Sequence, residues 1–79
     1  MTDMEVREVF CSRLHAWMAD NGVHKNELAR RLGVPWNTLN SWTSGRSMPS
    51  YLRLRDLAIV TGESVDWWMG LDREERWER

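Results

Sequence analysis

The sequence predicts an all-α domain built from five short helices. Apolar residues recur at steps of three and four along most of the chain, whereas no segment shows the alternation with turn signals that is typical of a strand. The 79 residues are enough for one small domain and leave little room for a buried enzyme pocket beside its core. We therefore expect one helical domain over residues 1–71 and a short charged tail over residues 72–79.

The first two predicted helices each end at a glycine. Residues 5–20 have apolar side chains at helical spacing, namely Val6, Val9, Phe10, Leu14, Trp17 and Met18. Asn21-Gly22 ends this helix, because glycine readily adopts the left-handed conformation that closes helices. A second helix is expected from Lys25 to Leu32, and Gly33 stops it.

Proline and serine mark the starts of the other three helices. Pro35 suits the first position of a third helix, which runs to about Thr43, because its missing N–H costs nothing there. Ser50 can cap a fourth helix that carries inward Tyr51, Leu54, Leu57 and Ala58. Ser64 can cap a fifth helix through Met69. The tryptophans expected in the shared core are Trp17, Trp42 and Trp68.

The charge of the chain is unevenly distributed, although the whole chain carries only −1. Residues 22–55 contain six basic residues against Glu27 alone, a net charge of +5, and the remaining residues carry −6. A basic middle between acidic ends is what a one-sided surface for a polyanion would look like. An ordinary fluctuation among solvated charges explains the pattern equally well.

Six sequence blocks follow one another between about Phe10 and Gly70: Asn21-Gly22-Val23, Glu27-Leu28-Ala29, Leu32-Gly33-Val34-Pro35, Thr38-Leu39-Asn40-Ser41-Trp42, Gly45-Arg46-Ser47-Met48-Pro49 and Ser64-Val65-Asp66-Trp67-Trp68-Met69-Gly70. Their order and spacing resemble the Cro/repressor-like (lambda-repressor-like, xenobiotic-response-element-like) helix-turn-helix family. The resemblance implies a compact five-helix lambda-repressor-like domain with the helix-turn-helix in helices 2 and 3. It also implies that the helix from Pro35 lies in the DNA major groove while the helix from Lys25 crosses the backbone.

The outer face of the third helix supplies the candidate base contacts, which are Trp36, Asn37, Asn40 and Ser41. Asn37 is the strongest of them, because an asparagine amide pairs bidentately with adenine, whereas a serine hydroxyl discriminates less between bases. The resemblance implies that Trp36, Asn37 and Ser41 reach base edges and that Asn40 lies between base and phosphate. For the Trp36 ring we favour an alternative, which is packing onto the second helix as an extension of the core.

Candidate phosphate contacts surround the same helices. Lys25 starts the second helix, whose N-terminus adds backbone N–H groups and a positive dipole end, and Arg46 lies in the loop after the third helix. His24 and Thr38 are added by family position. The chain departs from the family pattern, which usually has Ser or Thr at His24, Gln at Lys25 and Glu at Thr43. A lysine makes a stronger but less directional phosphate contact than glutamine.

Two tryptophans indicate self-association. Trp67 and Trp77 are hard to bury in one small domain, so they are candidates for a surface that binds a second copy. The alternative is partial burial under the tail. The resemblance favours association, because such proteins typically bind two half-sites of a palindromic operator as homodimers.

Other chemistry is poorly supported by the sequence. Cys11 and His15 are one helical turn apart, but only His24 could join them as a third soft ligand, so we expect no metal and no cofactor. No catalytic arrangement or phosphate loop indicates an enzyme or a small-molecule substrate. The single cysteine, the acidic start Met1–Glu5 and the absence of an apolar run of roughly 18 residues predict a cytoplasmic protein without a membrane partner.

These observations predict a sequence-specific regulator of transcription that binds double-stranded DNA, in particular a phage or bacterial repressor that occupies an operator. One alternative is a helix-turn-helix that presents the same outer helix to a partner protein, which the net charge and the many tryptophans keep open. An antitoxin-like or recombination-accessory protein would share the same DNA-binding mechanism and the same sequence features.

Overall fold

A computed structural model describes residues 2–71 as five α-helices: α1 (Asp3–Asn21), α2 (Lys25–Leu32), α3 (Trp36–Thr43), α4 (Tyr51–Thr61) and α5 (Val65–Met69). These residues contain no strand, so the predicted all-α fold is confirmed. None of the helices in this range combines the length and apolar character that a membrane crossing requires. The predicted charged tail over residues 72–79, with Trp77, lies outside the described residues.

The turn between α2 and α3 depends on a glycine. Gly33 has φ of 71°, in the left-handed region, and its N–H donates to the carbonyl of Arg30. The next N–H, that of Val34, donates to the carbonyl of Ala29 over 3.0 Å, so the last carbonyls of α2 are satisfied as the chain reverses. This confirms the predicted stop and sets α3 directly against α2.

Hydroxyl side chains cap the N-termini of three of the helices. The Ser50 side chain accepts from the backbone N–H of Arg53, and that of Ser64 accepts from Trp67, as predicted. Thr2 forms a capping box with Glu5, in which the Thr2 Oγ1 accepts from the Glu5 N–H over 3.2 Å. Because of this reciprocal cap, α1 begins two residues earlier than the apolar spacing predicts.

Two local expectations are wrong. Pro35 is not the first residue of α3 but its N-cap, because its ψ of 151° is extended and helical geometry begins only at Trp36. Tyr51 does not point inward and is 81% exposed. It is the first residue of α4 and lies about 120° around the helix from the buried Leu57, so its ring lies outside the buried face of the helix and contacts solvent.

The core joins all five helices through aromatic and leucine side chains. Phe10 of α1 lies between Trp42 of α3 and Trp68 of α5, with ring centroids 6.4 Å and 5.6 Å apart. Trp17, Trp42 and Trp68 are all buried, as predicted. Leucines of α2, α3 and α4 complete this core, which holds α3 by its inner side and leaves its other side to solvent.

Candidate nucleic-acid interface

The inner and outer sides of α3 differ sharply in chemistry. Its buried residues are Leu39, Trp42 and Thr43, which face α1 and α2. All four predicted base contacts lie outside this buried set: Trp36 and Asn37 are exposed, and Asn40 and Ser41 are half-buried. The first turn of α3 therefore presents one indole and one amide to solvent, and the second turn adds an amide and a hydroxyl.

The second residue of α3, Asn37, leaves its amide open to solvent. Its side chain is exposed, and no hydrogen bond joins its amide to any other residue in the range 2–71. The carboxamide therefore keeps both an acceptor oxygen and a donor nitrogen free. That pair of groups matches the donor and acceptor that adenine shows in the major groove.

Lys25 contacts two of the predicted base-contact residues. Its Nζ donates to the Asn40 Oδ1 over 3.0 Å and lies 5.7 Å from the centroid of the Trp36 ring, within the range of a cation–π interaction. Trp36 remains 45% exposed. The ring thus lies beside the start of α2 and offers nearly half of its surface to solvent, but it does not join the core that the packing alternative would extend.

Ser41 holds the loop that follows α3. Its Oγ lies 2.6 Å from the Oγ of Ser47, and its carbonyl accepts from the backbone N–H of Arg46 over 3.0 Å. Ser44 closes the same turn, since its hydroxyl donates to the Ser41 carbonyl over 3.1 Å and accepts from the Arg46 Nε over 3.1 Å. The sequence shows this serine-rich segment only as a turn, so Ser44 and Ser47 were missed as supports of Ser41 and Arg46.

The other predicted phosphate contacts lie at the starts of α2 and α3. His24 is exposed and is the N-cap of α2, but its side chain makes no capping hydrogen bond. The start of α2 therefore lacks a side-chain cap, whereas the starts of α4 and α5 each have one. Thr38 is half-buried in the first turn of α3, where its N–H donates to the Pro35 carbonyl over 3.0 Å.

Cys11 and His15 of α1 contact the last residue of α3. The Cys11 thiol donates to the backbone carbonyl of Thr43 over 3.1 Å, and the His15 Nε2 lies 2.7 Å from the same oxygen. Because a carbonyl only accepts, the His15 Nε2 must carry a proton. Residues 2–71 contain no group of three or more side chains suited to hold a metal. The two side chains instead attach the last turn of α3 to α1.

Trp67 is buried further than the sequence predicts. Its ring meets that of Trp68 edge-on at a centroid distance of 4.8 Å, and the Arg13 guanidinium lies 4.9 Å from the Trp67 ring centroid. The Arg13 Nη1 also donates to the backbone carbonyl of Trp67. Only part of the indole is therefore accessible to a second copy of the chain.

Comparisons with known proteins agree with this architecture. A family model described as helix-turn-helix matches residues 14–68. A protein of Haemophilus influenzae named an uncharacterized HTH-type transcriptional regulator is 40% identical over 42 residues. This alignment covers 53% of the chain and 18% of the Haemophilus protein, so the chain spans less than a fifth of that relative. No solved structure matches the chain. With five helices in the expected order and a family match that extends from α1 into α5, the chain belongs to the lambda-repressor/Cro-like helix-turn-helix family.

Proposed function

We propose that this chain is a sequence-specific regulator of transcription that places α3 in the major groove of double-stranded DNA. The observation that carries the proposal is the outer side of α3, which offers exposed or half-exposed polar side chains on a helix fixed from behind by the core. A single helix fits the major groove, whose floor displays the donors and acceptors that amides and hydroxyls recognise. The name of the Haemophilus relative supports the same class of function.

The base contacts in this proposal are Trp36, Asn37, Asn40 and Ser41. Asn37 reads adenine with both ends of its free amide. Ser41 keeps its bond to Ser47 while it contacts a base, because a hydroxyl has one donor and two acceptor positions. The exposed part of the Trp36 ring packs against a thymine methyl or a sugar.

The phosphate contacts come from His24, Lys25, Thr38 and Arg46, which flank the outer side of α3. Lys25 has three N–H donors and uses one for Asn40, so two remain for a phosphate oxygen. Arg46 is exposed and its Nε is directed by Ser44. The net charge of +5 over residues 22–55 supports a polyanionic partner for this part of the chain.

We propose further that the protein acts as a repressor of bacterial or phage type, by occupying an operator and obstructing polymerase. Selection from random duplexes, repeated at several salt concentrations, tests the DNA-binding function. We expect enrichment of one short motif and an affinity that falls steeply with salt, because bound phosphates release counterions. If the wild-type protein enriches no sequence and binds no duplex at low salt, the proposal is wrong, and a protein partner for the outer side of α3 becomes the alternative to test.

Self-association is the second part of the proposal. One domain reads only a few base pairs, so a homodimer on a palindromic operator would about double the contacts. The accessible part of Trp67 belongs to this surface, together with Trp77, which lies outside the described residues. Sedimentation equilibrium is expected to show two copies on a duplex with two half-sites. One copy on such a duplex, at saturating protein, would contradict the homodimer.

A further inference from the structure

We infer that Lys25 is a specificity-determining residue, which orients the Asn40 amide so that Asn40 recognises guanine rather than adenine. This inference rests on the proposed function and concerns the same outer side of α3. It assigns different bases to two asparagines that lie three residues apart on one helix.

The contact between Lys25 and Asn40 fixes which atom of the amide faces the DNA. An ammonium group has donors only, so the atom that meets the Lys25 Nζ at 3.0 Å must be the Asn40 oxygen. With Oδ1 turned toward α2, the Nδ2 amino group is the part of the amide left to meet a base. The positive charge of Lys25 therefore decides the orientation of the amide, because the opposite orientation would place the Nδ2 donor against another donor.

An asparagine in this state is a poor partner for adenine. Bidentate pairing with adenine needs Oδ1 to accept from the N6 amino group and Nδ2 to donate to N7. In Asn40 the oxygen already accepts from a cation, and the positive charge of Lys25 repels a second N–H donor. Guanine presents two adjacent acceptors, O6 and N7, and these match the outward Nδ2 amino group of Asn40, which has donors only.

The position of Lys25 indicates that it orients Asn40 and is not merely a solvated charge on the surface. It is the first residue of α2, at the end of a helix where the dipole disfavours a cation. The side chain is nevertheless half-buried, with Asn40 and the Trp36 ring as its neighbours. Asn37 provides the contrast within the same helix, because its amide has no such partner among residues 2–71 and remains able to pair with adenine.

The test compares base preferences of Lys25→Met, Asn40→Ala and the double variant by selection from random duplexes. In the wild type we expect guanine at the base pair read by Asn40. Lys25→Met keeps the aliphatic stem and removes the charge, so the ratio of guanine to adenine at this base pair should fall by at least about fivefold, the lower end of what a bidentate base contact contributes. Asn40→Ala should lose the same preference, and the double variant should lose no more than either single one.

Arg46→Met is the matched control, because it removes a proposed phosphate contact that touches no base-contact amide. It should weaken binding to all sequences, with a decrease of about 0.9 in the slope of log affinity against log salt and no change of preferred base. If Lys25→Met behaves like Arg46→Met, Lys25 is a phosphate contact only and the inference is wrong. If Asn40→Ala keeps the guanine preference while Lys25→Met loses it, Lys25 reads guanine directly and the inference is wrong as well.

A measurement on the free protein separates this inference from the proposed function. The side-chain amide resonances of Asn40 should shift in Lys25→Met and stay in place in Arg46→Met, whereas those of Asn37 should stay in place in both. Unchanged Asn40 resonances in Lys25→Met would overturn the contact itself. If the Asn40 resonances shift in Lys25→Met as expected but the wild-type protein selects no duplex, the contact stands. The proposed function is then wrong, and with it the assignment of guanine.

Discussion

Replacing Trp68 by alanine is expected to cost about 3–5 kcal/mol of the free energy of unfolding, the largest loss of any single change proposed for this chain. The side chain is 0% exposed and contacts Phe10 and Trp67. A typical small domain is stable by only about 5–15 kcal/mol, so the variant should be largely unfolded well below the melting temperature of the wild type. Urea and thermal unfolding followed by circular dichroism measure the loss.

Trp36→Ala is the matched control, because it deletes the same side chain from an exposed position. Trp36 is 45% exposed, and substitutions at exposed sites usually change stability by less than about 0.5 kcal/mol. Trp68→Phe adds a second comparison. The Trp68 Nε1 is buried and has no acceptor among residues 2–71, so phenylalanine gives up no hydrogen bond within this range and should cost less than alanine. Equal losses in Trp68→Ala and Trp36→Ala would contradict the packing described above.

The helix boundaries could be predicted from the sequence because their signals are local. The ends of α1 and α2 follow from Gly22 and Gly33, and the starts of α4 and α5 follow from Ser50 and Ser64. Each of these signals acts within one turn of its own helix, where a single residue type decides whether the backbone groups are satisfied. The same reasoning missed the cap of α1, because apolar spacing says nothing about the polar residues before it.

The contacts that shape the candidate site could not be predicted, because they join residues that are distant along the chain. Lys25 and Asn40 are 15 positions apart, and Cys11 meets the Thr43 carbonyl across 32 positions. Their meeting depends on how α1 and α2 pack against α3, which no local pattern encodes. For the same reason, Trp67 was expected to be hard to bury, since Arg13, which lies 54 positions away and packs over its ring, could not be recognised as its cover from the sequence alone.

Replacing Asn37 by alanine is expected to lower the affinity for the selected operator by about 1–3 kcal/mol, or roughly 5- to 150-fold. The reason is the loss of both hydrogen bonds that its free amide makes with adenine. Selection with the variant should show a relaxed preference at one base pair in each half-site. The stability of the variant should stay close to that of the wild type, because the amide is exposed and bonds to no other residue among those described.

Asn21→Ala is the control with the same change of residue, and it should affect stability but not base preference. The Asn21 Nδ2 donates to the Trp17 carbonyl over 2.9 Å near the end of α1, so its loss should lower stability modestly and leave base preference unchanged. Electrophoretic mobility shifts on operator and scrambled duplexes, at one salt concentration, separate the two effects. A lost phosphate contact lowers the affinity for every sequence alike, whereas a lost base contact lowers it only where that base is present. If Asn37→Ala weakens binding equally on both duplexes, the Asn37 amide therefore contacts the DNA backbone and does not read a base.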